Sequence, residues 1–443
     1  MSSPQNAGDH RLCSKRRKTN MRYQIAGYLV GLLCTHAVAG ELKVDSLQDL
    51  RIDPAAVTKT QALISSQLRS GQLAGVTVCI LRRGRVAHLR AYGYRDATTK
   101  TPARVDDIVR IYSMSKPIVS AAAMQLWEQG RFALDDPLAD YIPAFRQMKV
   151  LVTDQAADGK PRHRLVAARR QITIRDAFRH TTGIAYGGDL VKPVNQHYVA
   201  NDLVYWSNGM YAPKYTLLDG MSRLGRVPLL HHPGDQFTYG LNVDILGRLI
   251  EVCSGCQLSV YLRQRMFQPL GMVDTAFHVP DDKLSRFGPV HDKNKQGKFY
   301  RLAAAATSPY RLPPRWESGG GGLVSTITDY ARFCQAILDG GKFQGHRILK
   351  RSTIDLMFAN QLPSGQSRRF GLGFGITSQE FGSGSHRRKA TVYAWGGYAS
   401  TKFHVVPAEK LVLITMRQRV PGNSICWTKL VPIVHESLRP LDD

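Results

Sequence analysis

A serine and a lysine three positions apart carry the strongest chemical signal in this chain. Ser113 and Lys116 lie in the segment IYSMSKP, residues 111–117, and an apolar run from 118 to 127 follows it. Pro117 lacks a backbone N–H and is tolerated in the first turn of a helix, so it predicts a helix that begins close to Ser113. Residues three apart share a helix face, with Cβ atoms about 5–6 Å apart. The amine of Lys116 can therefore reach the hydroxyl of Ser113.

These two side chains have the chemistry of a nucleophile and its base. A serine hydroxyl reacts well only when a neighbouring group accepts its proton, and a lysine accepts a proton only when its amine is uncharged. Burial favours the uncharged amine because the ammonium ion loses its water. The run from 118 to 127 is apolar around most of a helical circumference, which predicts that this helix is buried. Ser-x-x-Lys is a short pattern that also occurs by chance, so the pair alone leaves a non-catalytic role open.

Two strands joined by a tight turn are predicted before this helix. A helical pattern covers 57–68, and a strand is predicted at 75–81. Arg83 and Gly84 supply a turn, and 86–92 is typical of the returning strand. Strand pairing therefore precedes Ser113.

The middle of the chain is mainly helical, and its end again contains strands. The remaining predicted elements are a capped helix from 172 to about 180, helices at 328–338 and 427–438, and strands at 393–406 and 411–418. Thr328 is the predicted N-cap of the second of these helices. Strands from both chain ends with helices between them predict an α/β (α+β) fold, an antiparallel sheet flanked by helices with an inserted mainly helical lobe. The sheet lobe would comprise about 45–112 and 310–443, and the helical lobe about 113–309.

The composition describes a globular chain with a strong excess of positive charge. The 443 residues are 43% hydrophobic, enough for a large core, and the formal net charge is +26. The tight basic cluster is at 15–18, and basic residues elsewhere are scattered, which favours a solvated surface over a nucleic-acid interface. We therefore expect no nucleic-acid partner, while an anionic envelope polymer is a candidate partner.

Residues 1–39 have the pattern of a secretory signal peptide. A basic stretch precedes an apolar core at 25–34, and small residues then permit cleavage after Ala39. Met21 would give a shorter signal and is the alternative start. The pattern predicts a periplasmic or secreted protein whose mature domain spans 40–443.

The sequence predicts no metal site and no cofactor. Cys253 and Cys256 form a C-x-x-C pair with no second pair to complete a metal site, although a local disulfide between them is left open. His231 and His232 lack a third ligand at a familiar spacing. His180 is expected to satisfy backbone groups at a helix end. The oligomeric state is not predicted.

Further motifs accompany the Ser-x-x-Lys pair. They are LDDP at 134–137, HTTG at 180–183, PGDQFTY at 233–239, DILG at 244–247, GGGL at 320–323 and WGG at 395–397. With these motifs the chain resembles the serine β-lactamase-related family, in its class C-like and esterase branch. The resemblance extends from about Val57 to Leu438. It implies a β-lactamase-like fold and the acyl-enzyme chemistry of penicillin-binding-protein-like serine hydrolases.

The resemblance also assigns roles to single residues. It implies that Ser113 is the acylated nucleophile, that Lys116 is its general base, and that Tyr239 relays a proton to the leaving group. The backbone N–H groups of Ser113 and Tyr398 would form the oxyanion hole. The strand motif that would bind substrate beside them is occupied here by Trp395, Gly396 and Gly397.

Two departures from the family pattern favour carboxylic esters as substrates. Lactamases place an asparagine two residues beyond the tyrosine, whereas this chain has Leu241 there and Asn242 one position later. A cation usually begins the strand motif, whereas this chain has Trp395, whose indole suits an apolar acyl or alcohol group. Lys402 is expected to replace that cation in part. The leading interpretation is an exported carboxylesterase that acts on a small-molecule ester.

Two alternatives are left open. Within the same fold, the protein would be a β-lactamase or a D,D-carboxypeptidase or other peptidoglycan amidohydrolase, acting on an amide. In a different class, it would bind an envelope polymer and catalyse nothing. An α/β-hydrolase is disfavoured because the chain contains no Gly-x-Ser-x-Gly.

Overall fold

A computed structural model of the protein describes residues 42–188, 192–203 and 214–441, and the predicted signal peptide at 1–39 lies outside these ranges. The helices, in chain order, are α1 (Ala55–Arg69), α2 (Ser115–Glu128), α3 (Ile174–Phe178), α4 (Lys192–Ala200), α5 (Leu217–Leu224), α6 (Asn242–Ser254), α7 (Leu258–Leu262), α8 (Gln268–Leu270), α9 (Ile327–Leu338), α10 (Arg351–Phe358) and α11 (Ile425–Glu436). The strands, in chain order, are β1 (Gly75–Arg82), β2 (Arg85–Asp96), β3 (Thr101–Pro102), β4 (Val109–Arg110), β5 (Lys149–Gln155), β6 (Pro161–Ala167), β7 (Val290–Lys293), β8 (Phe299–Ala303), β9 (Val324–Ser325), β10 (Lys342–Phe343), β11 (His346–Arg347), β12 (Arg369–Phe370), β13 (Gly375–Phe381), β14 (Arg388–Gly396), β15 (Lys402–Val406) and β16 (Leu411–Met416).

One antiparallel sheet joins the two ends of the chain. Its eight strands lie in the order β12-β13-β14-β15-β16-β1-β2-β3. In its interior β1 pairs with β16, so the first and last long strands are neighbours. β1 and β2 form the predicted hairpin, whose turn residues Arg83 and Gly84 have φ angles of 55° and 74°, as a two-residue turn between twisted strands requires. The predicted antiparallel sheet built from both chain ends is confirmed.

Helices cover both faces of this sheet. Because successive side chains of a strand point to opposite faces, Val78 and Ile80 of β1 pack with α1 and α11, while Cys79 and Leu81 pack with helices from the middle of the chain. On that second side α2 packs against α6, and α9 packs against β16. The sheet is therefore the middle layer of the fold. Among the helices of the described ranges, none by itself combines the length and the hydrophobicity of a membrane-spanning segment.

The helix predicted after Ser113 is almost entirely buried. Tyr112–Met114 forms a 3-10 turn, α2 begins at Ser115, and every side chain from Ser115 to Leu126 is buried. Pro117 lies in the first turn of α2, as predicted. The predicted burial of this helix is confirmed.

Side-chain caps fix the starts of two helices. The hydroxyl of Thr173 accepts the N–H of Asp176, and the Asp176 carboxylate accepts the N–H of Thr173, which confirms the predicted capped helix as α3. At α9 the cap is Thr326, and the prediction of Thr328 is wrong. Pairing of β9 with β4 keeps the chain extended through Ser325, so the cap lies two residues earlier than the sequence pattern indicates.

Two histidines are buried between the sheet and α11. His404 of β15 and His435 of α11 have ring centroids 5.6 Å apart, and they pack on Trp427 and Phe381. Burial lowers the pKa of His435 to about 4. Burial, and then the proximity of His435 and Lys402, lowers the pKa of His404 well below its ordinary value. Both rings are therefore neutral in the folded protein at pH 7.

We expect the protein to lose stability as the pH falls below the ordinary histidine pKa of about 6.5. Because the folded pKa of His435 is lower than the unfolded one, its contribution is complete above the unfolded value and falls by about 3 kcal/mol between pH 7 and pH 4. The variant His435→Phe should show a shallower pH dependence of its unfolding free energy in urea titrations followed by circular dichroism. The exposed-site variant His346→Phe is the control and should keep the wild-type slope. An unchanged slope in His435→Phe would contradict this account.

Candidate active site

The predicted nucleophile and base lie side by side at the start of α2. Ser113 is in the 3-10 turn and is partly exposed, whereas Lys116, one helical turn later, is 1% exposed. Lys116 Nζ lies 3.2 Å from Ser113 Oγ. The structure thus presents the hydroxyl to the outside. It keeps the amine away from water, as predicted for Lys116.

The amine of Lys116 contacts three oxygen atoms from three parts of the chain. Besides Ser113 Oγ, these are Tyr186 Oη at 2.8 Å and the carbonyl oxygen of Gly320 at 2.6 Å. An ammonium ion donates to all three, whereas an uncharged amine has two hydrogens and one lone pair. When the uncharged amine donates to Gly320 and Tyr186, its lone pair faces the hydroxyl of Ser113. The contacts therefore suit transfer of the serine proton to Nζ.

The phenol nearest this amine belongs to Tyr186, a residue that the sequence did not single out. The predicted Tyr239 presents its ring to the amine, with Nζ 4.5 Å from the ring centroid, and its Oη accepts the indole N–H of Trp395 at 3.3 Å. A hydrogen bond joins Tyr186 to Tyr239. Burial, and then the proximity of Tyr239 and Asp244, raises the pKa of Tyr186 well above its ordinary value. The structure brings Tyr239 to the site, with a second tyrosine hydroxyl between its own and Lys116.

The predicted strand motif, residues 395–397, lies where β14 extends beyond its pairing with β13. β14 pairs with β13 as far as Ala394 but with β15 two residues further, so the strands that the structure describes leave one backbone edge open here. A Cβ on Gly397 would lie 2.3 Å from the carbonyl oxygen of Ile111 and 2.2 Å from Thr401 Oγ1. Glycine at this position therefore lets the end of the strand approach the turn that carries Ser113.

The backbone just before the nucleophile is strained. Tyr112 has a φ of 44°, in a region that costs a bulky residue about 1–3 kcal/mol. The residue is 3% exposed, and its ring packs edge-on against Tyr398 with the centroids 6.0 Å apart. The ring of Tyr398 therefore lies beside the residue that precedes Ser113, and the oxyanion hole of the Ser113 and Tyr398 N–H groups stays a prediction.

Aromatic rings line the site beyond Tyr239. The Trp395 ring centroid lies 5.5 Å from that of Tyr239 and 5.2 Å from that of Phe370. Phe237 continues the row, 5.3 Å from Phe370. The partly exposed rings of Trp395 and Phe237, packed on the buried ring of Phe370, form an apolar surface next to the predicted proton relay.

His180 packs behind this surface, and its side chain forms no hydrogen bond with the described residues. Its ring centroid lies 5.1 to 5.5 Å from three aromatic rings, those of Phe237, Tyr239 and Phe370. Neither ring nitrogen has a hydrogen-bond partner in the part of the chain that is described, so the prediction that His180 satisfies backbone groups is wrong. Burial, and then Lys116 and Arg368, lowers the pKa of His180 well below its ordinary value. The neutral ring supports Tyr239 by packing.

The asparagine next to the family's asparagine position has a structural role. Asn242 is fully buried, and its Oδ1 accepts the hydroxyl of Thr182 at 2.6 Å. Its amide donates to the carbonyl oxygens of Ile184 and Thr238 at 3.2 and 3.3 Å. Asn242 therefore ties the loop that leads to Tyr186 to the segment that carries Tyr239.

Lys402 does not supply the cation that the strand motif lacks. It precedes Phe403, whose ring packs on the side of the sheet that carries the site, so the lysine faces the other side. There Lys402 Nζ donates to Ser424 Oγ at 2.7 Å, at the start of α11. The expectation that Lys402 compensates for Trp395 is wrong, because Lys402 and Phe403 are adjacent in one strand and their side chains point to opposite faces of the sheet.

The predicted absence of a metal role for the histidine pair remains a prediction. Within 42–188, 192–203 and 214–441, no group of three or more His, Cys, Asp or Glu residues is placed to hold a metal ion. The ring of His231 contacts the carbonyl oxygen of His232 at 2.9 Å and Thr238 Oγ1 at 2.8 Å. Cys253 and Cys256 are free thiols.

Three groups around the amine were not predicted, namely Tyr186, Gly320 and Asp244. Tyr186 lies three residues beyond the HTTG motif, in a loop whose sequence has no periodicity to place its side chain. Gly320 and Asp244 belong to motifs of the resemblance, but only tertiary contacts join them to Lys116. The HTTG motif was the one local signal that pointed near Tyr186.

A family model and several known proteins match the chain over most of its length. The model described as Beta-lactamase matches residues 60–425. Protein Rv1367c of Mycobacterium tuberculosis is 31% identical over 379 residues, which cover 82% of this chain and 90% of that protein. Esterase EstB of Burkholderia gladioli is 28% identical over 366 residues, which cover 78% of this chain and 86% of that protein. The solved structure of EstCE1, a hydrolase with promiscuous acyltransferase activity, superposes with a TM-score of 0.70 at 23% identity and covers 86% of this chain and 98% of that one.

We expect Gly397→Ala to disturb the site far more than Gly396→Ala. A methyl group at 397 would lie 2.3 Å from the Ile111 carbonyl oxygen, which forces the strand away from the nucleophile, whereas the nearest atom to a methyl group at 396 is 3.1 Å away. Labelling of Ser113 by a fluorophosphonate, followed by intact mass, should slow about 10²-fold in Gly397→Ala. It should stay near the wild-type rate in Gly396→Ala, the matched control. Equal labelling rates in the two variants would show that this close approach does not matter.

Proposed function

The chain belongs to the beta-lactamase family and is a serine hydrolase of that fold, and we propose that it is an exported carboxylesterase that forms an acyl-enzyme on Ser113. The observation that carries this proposal is the buried amine of Lys116, whose Nζ lies 3.2 Å from Ser113 Oγ and also contacts Tyr186 Oη and the carbonyl oxygen of Gly320. The relative EstB, named an esterase, supports a small-molecule ester as the substrate.

Acylation begins with transfer of the serine proton. Ser113 Oγ attacks the ester carbonyl carbon while its proton passes to Lys116 Nζ, so the O–H bond breaks as the Oγ–C and N–H bonds form. The carbonyl electron pair moves onto its oxygen. The backbone N–H groups of Ser113 and Tyr398 stabilise that oxyanion in this proposal, and one such donor is typically worth about 10²–10³ in rate.

The two tyrosines then return the proton to the departing alcohol. The ammonium ion of Lys116 donates to Tyr186 Oη, and Tyr186 is hydrogen-bonded to Tyr239. Because Tyr239 Oη accepts the indole N–H of Trp395, its own proton can be directed at the alcohol oxygen. The oxyanion re-forms its C=O bond, the C–O bond to the alcohol breaks, and the departing oxygen takes the proton from Tyr239. The acyl group stays on Ser113, and Lys116 is again uncharged. Water then attacks the acyl-enzyme with the same groups acting in reverse.

The first residue of the strand motif favours esters over β-lactams. β-Lactams carry a carboxylate that needs a cation, and the neutral Trp395 occupies that position while Lys402 faces the opposite side of the sheet. The indole and the ring of Phe237 are partly exposed and pack on the buried ring of Phe370, so they offer an apolar surface suited to an acyl chain or an organic alcohol.

Acyl transfer to an alcohol is the second candidate activity. EstCE1, which has the same fold, is described as a hydrolase with promiscuous acyltransferase activity. The aromatic surface beside Tyr239 favours an organic alcohol over water as the acceptor of the acyl group. A β-lactamase or D,D-carboxypeptidase would use the same groups, and a non-catalytic polymer-binding protein would have no use for an accessible serine beside a buried lysine.

Export is part of the proposal because of the signal-like pattern at 1–39. Cleavage after Ala39 would release a protein that retains most of the positive charge and meets anionic envelope polymers at the cell surface. We propose such a polymer as a secondary partner and a small-molecule ester as the substrate.

Substrate preference separates these functions. We expect turnover of short-chain p-nitrophenyl esters, little turnover of nitrocefin, and a new ester product when an alcohol is added if acyl transfer operates. Ser113→Ala should lower ester turnover at least about 10³-fold and abolish the fluorophosphonate adduct, because the acyl group has no acceptor. Ser120→Ala, on the same helix, is the control and should keep both.

Two results would overturn this assignment. Rapid nitrocefin hydrolysis without ester hydrolysis would favour the lactamase. Ester hydrolysis unchanged in Ser113→Ala would remove the proposed nucleophile and favour a binding role. The intact mass of the adduct also reports whether the exported chain begins after Ala39.

The tyrosine relay predicts an effect that depends on the leaving group. p-Nitrophenolate leaves without a proton, whereas an alkoxide needs one, so Tyr239→Phe should lower kcat/KM about 10²–10⁴-fold for an ethyl ester but much less for the p-nitrophenyl ester of the same acid. Tyr186→Phe is the matched variant, and it should lower kcat/KM for both esters because its hydroxyl contacts Lys116. Equal losses for both esters in Tyr239→Phe would contradict the proposed relay.

A further inference from the structure

Asp244 is a buried carboxyl group close to the proposed base. It lies in the first turn of α6 and is 0% exposed. Its Oδ1 accepts the indole N–H of Trp316 at 2.9 Å and the hydroxyl of Ser318 at 2.6 Å. Its Oδ2 has no aligned hydrogen-bond partner among the residues described, although the backbone N–H of Gly320 faces the carboxyl group. One oxygen of this buried carboxylate is therefore fully bound, and the other is not.

Gly320 separates this carboxyl group from the amine. A Cβ on Gly320 would lie 2.3 Å from Asp244 Oδ2, so the glycine backbone rests directly on the carboxylate. The carbonyl oxygen of the same residue accepts Lys116 Nζ at 2.6 Å. Burial raises the pKa of Asp244, and the proximity of Lys116 opposes that rise. Asp244 and Lys116 thus interact across a single residue of the glycine-rich turn.

The two hydrogen bonds to Oδ1 do not explain why this residue is an acid. The amide oxygen of an asparagine would accept the same two donors from Trp316 and Ser318. A buried carboxylate is more costly to remove from water than an amide, so the charge needs a compensating partner. The basic group that interacts with Asp244 is the amine of Lys116, which becomes a cation when it accepts the proton of Ser113.

The other titratable groups around the pair are phenols and one imidazole. Tyr186 and Tyr239 face Lys116 from the loop after α3 and from the segment before α6. Tyr186 also faces Asp244. His180 lies close to Lys116 with a neutral ring. These groups accept or pass a proton, whereas Asp244 supplies a negative charge.

We propose that Asp244 is a positioning residue for the base, whose carboxylate holds the Gly320 carbonyl against Lys116 and stabilises the ammonium ion that forms when Ser113 is deprotonated. The inference rests on the proposed role of Lys116 as that base. In this step the O–H bond of Ser113 breaks, an N–H bond forms at Nζ, and the new positive charge faces the carboxylate. Asp244 itself touches neither the substrate nor the reacting atoms.

The pH dependence of Ser113 labelling by a fluorophosphonate tests this role. Asp244→Asn keeps the size of the side chain and removes its charge. The labelling rate falls at acid pH, and this fall is called the acid limb. In Asp244→Asn the limb should move to lower pH by about one unit, because the ammonium ion is less stable without the nearby negative charge. The plateau rate should fall about tenfold, because the amine becomes a weaker base. A plateau that falls while the limb stays at its wild-type position would indicate a merely structural role and would overturn the proposal.

Two further variants complete the test. Asp329→Asn changes another buried aspartate, 2% exposed at the start of α9, and should leave the limb in place; an equal movement there would overturn the proposal. Ser318→Ala removes only the 2.6 Å donor to Oδ1 and so weakens the charged form of Asp244. Its limb should move in the same direction by a smaller amount, which keeps the proposal open to refutation if Asp244→Asn does not fold.

Labelling also separates this inference from the proposed function. It reports the activation of Ser113 without requiring ester turnover. If the wild-type protein is labelled but hydrolyses no ester, the carboxylesterase assignment is refuted, while the role of Asp244 can still be tested. If the acid limb is unmoved in both Asp244→Asn and Ser318→Ala, the role of Asp244 is refuted and the carboxylesterase assignment is unaffected.

Discussion

The burial of one amino group constrains the whole structure. The three oxygen atoms around Lys116 Nζ belong to residues that are 3, 70 and 204 positions away in the chain. A buried amine without hydrogen-bond partners would destabilise the fold, so these contacts are a condition of its burial. Removal from water is in turn what allows a lysine to accept a proton. The packing of α2 against α6 and the turn that carries Gly320 therefore serve stability and chemistry together.

The sheet provides the rigid frame on which this site is assembled. β1 and β16 are buried on both faces of the sheet. Their pairing joins a strand from the start of the chain to a strand from its end. β14 extends beyond β13 and meets the turn at Ile111, where only glycine fits at position 397. Next to this turn the backbone of Tyr112 is strained, and its ring packs against Tyr398. Strain next to a nucleophile persists because the surrounding packing leaves the chain no other conformation.

The features that could be predicted from the sequence are those that depend on residues close together in the chain. A proline and an apolar run placed Ser113 at the start of a buried helix, and the side chains of Thr173 and Asp176 were enough to start α3. The family resemblance added Tyr239 and the strand motif. Other features depend on contacts between distant segments. Thr326 caps α9 because a strand ends just before it, and Tyr186 reaches Lys116 from a loop without periodicity.

Strand faces and buried polar groups were equally hard to foresee. The side of the sheet on which Lys402 lies follows from the register of β15 with β14, which composition does not reveal. Trp395 shows how closely recognition and chemistry are joined at this point. Its ring belongs to the surface proposed to bind substrate, while its N–H determines which hydrogen bond Tyr239 accepts and hence where the tyrosine proton can go. A cation at position 395 would change the charge of the site and the donor to Tyr239 at once, so one substitution there would alter substrate preference and proton transfer together.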